Sequence, residues 1–101
     1  MLEHVVLWKF ADTAAGQTRE ENMARARAEL LGLVGVVPQI REMWVSRDMA
    51  HTPASYDLML RARFDSFADM EAYQVHPAHV AVASFVRGVV TSRVVLDTEE
   101  I

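Results

Sequence analysis

Near its start the chain runs Leu2-Glu3-His4-Val5-Val6-Leu7-Trp8-Lys9-Phe10, a strand-like segment with apolar residues on both sides. His4, Val6, Trp8 and Phe10 share one face, and Val5 and Leu7 share the other. A strand apolar on both faces has to be covered on both. The chain has 101 residues and is 51% hydrophobic, whereas a domain of this size buries only about 60 to 65% of the surface its unfolded chain exposes. The excess apolar surface predicts self-association.

The rest of the pattern supplies one cover. Thr18-Arg19-Glu20-Glu21 has the form of a helix-opening capping box. Met23, Ala26, Leu30, Leu31 and Val34 then recur at helical spacing, with Gly32 and Gly35 as stops. Ala11 to Gln17 reads as a loop, Ile40 to Ser46 as a second strand, and Arg47 to Ser55 as a loop holding His51 and Pro53. Tyr56 to Phe64 alternates most cleanly, with Leu58, Leu60, Ala62 and Phe64 opposite Met59, Arg61 and Arg63. Ser66 opens a short helix that His76-Pro77 breaks, because a residue before proline disfavours helical geometry. Pro77 suits the first turn of a new helix bearing His79, Val82, Ala83 and Val86 on one stripe, and Ser92 to Thr98 is a β-branched closing strand. Strand, helix, strand, strand, broken helix, strand predicts a single domain over residues 1–101, a ferredoxin-like α+β sandwich whose four-stranded antiparallel sheet carries its helices on one face. The open face is expected to meet a second copy of the chain, giving a homodimer.

Charge and composition narrow the function classes. A net charge of -4 with no basic cluster disfavours nucleic acid and anionic membranes as partners. No apolar run approaches the roughly 18 residues of a membrane span, and no basic segment precedes the first strand, so a cytoplasmic location is expected. Without cysteine there is no disulfide, thiolate metal site or Cys nucleophile. The four glycines are too scattered for a phosphate loop, and no Ser-His-Asp arrangement can be proposed.

Four segments together resemble one family. They are His4-Val5-Val6-Leu7-Trp8-Lys9-Phe10, Tyr56-Asp57-Leu58 with Phe64-Asp65-Ser66, Tyr73-Gln74-Val75-His76-Pro77-Ala78-His79-Val80, and Arg93-Val94-Val95-Leu96-Asp97. This set is similar to the stress-responsive A/B barrel (Dabb, dimeric α/β-barrel) family, and its most specific element is Tyr-x-x-His-Pro-x-His. The resemblance implies a homodimer whose sheets pack face to face into a barrel with internal space. It also implies a functionally mixed group, many of whose members have no established activity, while a plant member is a cofactor-independent polyketide cyclase using a tyrosine and a histidine of this motif. Carried over by position, those are Tyr73 and His79, with His4 and His76 as further, ligand-binding positions. The short polar end Thr98-Glu99-Glu100-Ile101 and the Ala-rich first helix depart from the family pattern.

Enolisation next to a carbonyl needs a base for the proton and a donor for the oxygen that gains charge. A histidine near a helix N-terminus is held in its neutral, basic form, which suits His79 as base; a phenol of ordinary pKa about 10 stays a donor, which suits Tyr73. Each residue also has a plainer reading. Tyr73 fits a core aromatic with its hydroxyl at the edge, and His79 an ordinary buried helix face. His76 fits a hinge residue bonded to backbone where two helices meet, and His4 a satisfied interface histidine. His76-x-x-His79 lacks the further ligands a metal requires, so neither metal nor cofactor is expected. Two functions follow: a stress-family protein with a small apolar ligand pocket in its barrel, or a cofactor-independent cyclase or lyase acting on a small apolar carbonyl compound. An oxygenase is suggested by shared architecture alone. A cavity of roughly 300 Å³ or more reaching Tyr73 and His79 favours a ligand site over a filled barrel.

Overall fold

A computed structural model describes residues 1–101. Its elements are β1 (Leu2–Phe10), β2 (Thr13–Ala14), β3 (Gln17–Thr18), α1 (Arg19–Leu31), β4 (Glu42–Arg47), β5 (Leu58–Phe64), α2 (Phe67–Val75), α3 (Pro77–Val89) and β6 (Val90–Thr98). The four long strands form an antiparallel sheet in the order β4-β5-β1-β6, and the helices cover one face of it. This is the expected ferredoxin-like α+β sandwich.

Caps set the helix boundaries. Thr18 Oγ1 accepts from the Glu21 N–H at 3.2 Å, and Glu21 Oε1 accepts from the Thr18 N–H at 3.0 Å, a complete capping box for α1. Ser66 caps α2 by accepting from the Asp69 N–H. His76 ends α2 and caps α3, with Pro77 at the first helical position.

Several strand boundaries differ from the alternation pattern for local reasons. The second strand begins at Glu42 rather than Ile40, because the Ile40 amide is turned back to the Val37 carbonyl. The third begins at Leu58 rather than Tyr56, since the Asp57 carboxylate accepts from the Phe10 N–H at 2.7 Å in place of a continued ladder. The last begins at Val90, directly after α3, where β1 carries a register shift between Lys9 and Phe10. The expected loop after β1 holds the small β2–β3 hairpin, whose turn residues Ala15 and Gly16 have positive φ. The buried Asn22 pins it to α1 by donating to the Ala14 carbonyl at 3.0 Å.

Register gives the sheet two different faces. Toward the helices lie the rows Met43–Ala62–His4–Asp97, Val45–Leu60–Val6–Val95 and Arg47–Leu58–Trp8–Arg93. Their apolar central members join Phe64, Tyr73, Val82 and Val86 in the core, with His4 buried among them. The opposite face carries Trp44–Arg61–Val5–Leu96 and Ser46–Met59–Leu7–Val94, bounded by the charged row Glu42–Arg63–Glu3–Thr98. No helix covers that second face, and Val94 and Leu96 on it are 43% and 61% exposed.

Candidate functional site

On the helix-covered side, where edge strand β6 extends past the helices, the core opens into a cleft of about 560 Å³. Val6, Trp8, Leu60 and Val86 supply apolar lining, and His4, Tyr73 and His79 supply the chemistry. Three of the four residues singled out in the sequence therefore converge, one each from β1, α2 and α3.

Tyr73 is the centre of the group. It is fully buried, its ring lying 5.1 Å from that of Phe64, 4.3 Å from that of His79, and 6.1 Å edge-on from that of His4. Its hydroxyl is also buried and has no hydrogen-bond partner. An orphaned buried polar atom costs roughly 1 to 3 kcal/mol, so an unpaired phenol in a residue that lines a cleft is an unmet demand for an acceptor. Burial pushes the phenol well above its ordinary pKa, opposed in part by the positive charge of Arg93. It is held as a donor.

His79 stands in the first turn of α3, half-buried beside that ring. Its Nδ1 lies 3.0 Å from the Gln74 carbonyl; a carbonyl can only accept, so the proton is on Nδ1 and Nε2 keeps the lone pair. Desolvation lowers its pKa, the carbonyl bond works against that, and the neighbouring charges of His4, Arg93 and His76 lower it further. The expected neutral imidazole follows, with burial as the leading cause in place of the helix terminus.

His4 faces the helices and the cleft, on the side that it shares with Val6 and Trp8. The β1–β6 register sets Asp97 directly opposite, and His4 Nδ1 lies 2.5 Å from Asp97 Oδ1. A carboxylate held on Nδ1 fixes the ring and leaves Nε2 free. His76 is apart from the group. Its Nδ1 accepts from the Ala78 N–H at 3.1 Å, so its lone pair is spent capping α3, and the ring does not line the cleft. That is the geometry of the hinge reading.

Sequence reasoning gave no role to Asp97, Arg93 or the Gln74 carbonyl. Asp97 and Arg93 fall on an alternating strand, yet which face they share with His4 depends on a pairing ninety residues away in sequence.

A profile of the Stress responsive A/B Barrel Domain matches residues 2–100. The chain belongs to this family. A family relative from Arabidopsis thaliana, the stress-response A/B barrel domain-containing protein DABB1, is 29% identical over 85 residues, which cover 81% of this chain and 39% of that protein, so the present chain spans well under half the relative's length. A dimeric ferredoxin-like protein of unknown function from Bacteroides fragilis superposes with a TM-score of 0.82 at 27% identity, over 98% of this chain and 95% of that one. A hydroxynitrile lyase from Passiflora edulis superposes with a TM-score of 0.81 at 17% identity, over 96% and 90% of the two chains, and shares the fold. Within this A/B barrel chain the space lies between the sheet and its own helices. The cleft residues sit on the face opposite Val5 and Leu7, away from the face at which the resemblance implies that two sheets meet.

Proposed function

We propose that the chain is a cofactor-independent catalyst of proton transfer at a small carbonyl compound, of the aldol-cyclase or lyase type, and that it works as a homodimer. One observation carries the catalytic reading: a buried phenol with no partner, flanked by two imidazoles that each present a free Nε2. The carbonyl oxygen of the ligand accepts from the Tyr73 hydroxyl. His79 Nε2 takes the proton from the adjacent carbon, the C–H electron pair moves into the enolate, and the oxygen that gains charge is the one Tyr73 already holds. The new carbon nucleophile then adds to a second carbonyl, or the sequence runs in reverse and a carbon–carbon bond breaks. The roles follow from electrostatics: burial makes ionising Tyr73 costly, so it donates, and burial keeps His79 neutral, so it accepts.

Self-association is supported by the uncovered apolar rows and by the dimeric description of the Bacteroides fragilis neighbour. Sedimentation should give twice the chain mass. The catalytic reading is tested by the exchange of α-hydrogens of aryl alkyl ketones for deuterium in heavy water, followed by NMR. The wild type accelerates exchange, and Tyr73→Phe and His79→Ala abolish the acceleration with the fold retained. Exchange unchanged in both variants rejects the assignment.

A further inference from the structure

Two arginines of the cleft have no part in that chemistry. Arg87, near the end of α3, and Arg93, on β6, both line the opening. Arg19, Arg25, Arg41, Arg47, Arg61 and Arg63 each stand within 4.0 Å of a carboxylate. Arg87 and Arg93 make no such pair, a state otherwise found only at Arg27 on the exposed side of α1. The chain as a whole has 14 acidic and 10 basic side chains, yet no Asp or Glu lines the cleft. The one carboxylate nearby, Asp97, is engaged by His4.

The register fixes where this positive charge lies. Arg93 is opposite Trp8 on the helix-covered face, the same face and strand as Asp97 four residues on. Its charge reaches inward far enough to act on both Tyr73 and His79. Thr91 and Ser92 line the same end of the cleft, the Thr91 hydroxyl donating to the Lys9 carbonyl. One wall is thus apolar, the centre holds an unpaired phenol, and the rim holds unpaired guanidinium groups.

We propose that the cleft selects carbonyl compounds that also carry a carboxylate, which Arg93, assisted by Arg87, binds at the rim while the carbonyl oxygen lies at Tyr73. This deepens the reading above, on which it rests, and replaces a wholly apolar ligand by an amphipathic one. A guanidinium binds a carboxylate through paired, charge-assisted hydrogen bonds. Because Arg93 is exposed, the interaction is screened by salt.

The test is calorimetric titration of the wild type with 4-oxo-4-phenylbutanoate and with its methyl ester, which keeps the shape and removes the charge. The acid should bind about tenfold more tightly than the ester at low salt, with the advantage shrinking as salt is added. Arg93→Leu should abolish the preference by weakening the acid alone, and Arg93→Lys should restore part of it. Equal affinities for acid and ester in the wild type, or a preference that survives in both Arg93→Leu and Arg87→Leu, overturn the proposal while leaving the Tyr73 site standing. Binding of neither compound overturns both.

Discussion

The two faces of one sheet are built from the same four strands and do opposite things. On the helix-covered face, the rows through Ala62 and His4 and through Leu58 and Trp8 end at β6 in the charged residues Asp97 and Arg93, while His4 and Tyr73 are buried at the centre. On the uncovered face the charged groups are paired with one another, although the Arg63 Nε–H has no hydrogen-bond partner. Arg63 bonds Glu42 at 2.9 Å and Arg61 stacks 4.0 Å from the Trp44 ring, around the apolar pairs of Val5 with Leu96 and Leu7 with Val94. The covered face holds unmet hydrogen-bonding capacity, which asks for a ligand. The uncovered face holds unmet apolar area, which asks for another protein surface. The contrast shows that exposure alone does not mark a functional site; what marks it is which kind of interaction is left incomplete.

That contrast breaks most decisively at Tyr73 and His79. Removing the hydroxyl or the imidazole should cost at least about 100-fold in α-proton exchange, with the sedimented mass unchanged. A charge on the other face should do the reverse. Leu7→Asp places an unpaired carboxylate among the apolar rows and should weaken self-association by about 100-fold, read by sedimentation, while the cleft of each protomer keeps its shape. Asp97→Asn sharpens the role of the covered edge: with His4 less firmly oriented, exchange should fall about tenfold with no change in mass.

The acid side of the stability profile gives a smaller effect. The folded-state pKa of His79 lies below its unfolded value, so the unfolded chain takes up that proton first. Its contribution is constant above about pH 6.5 and is lost as pH falls below that value toward the lowered folded pKa. Chemical denaturation across this window should show a steeper loss in the wild type than in His79→Gln. The smallest effect distinguishes the neighbouring histidine. His76→Ala should cost about 1 kcal/mol of stability, and His76→Asn, a good capping residue, should recover most of it with exchange activity retained.

Much of this was legible in the sequence, for reasons particular residues make clear. The double-sided apolarity of Leu2 to Phe10 predicted one sheet with two covers, and Thr18, Ser66 and His76-Pro77 placed all three helix starts, because capping is local chemistry between residues two or three apart. The Tyr73 and His79 pair was likewise legible, being six residues apart across one helix break. What sequence alone could not supply was long-range. Asp97 meets His4 only through the β1–β6 register, and the unpaired state of Arg93 depends on where every carboxylate in the fold has gone. The location of this cleft is long-range in the same way. A barrel seen as a pair of sheets suggests space between them, whereas space under the helices depends on how the helices pack over the sheet.

A crystal structure with 4-oxo-4-phenylbutanoate bound tests the central claim most directly. The account predicts the ketone oxygen about 2.7 Å from Tyr73 Oη, under the helices of a single protomer, with His79 Nε2 facing the adjacent carbon. Density for the compound between the uncovered faces of two protomers, with the Tyr73 hydroxyl still unpaired, would contradict it.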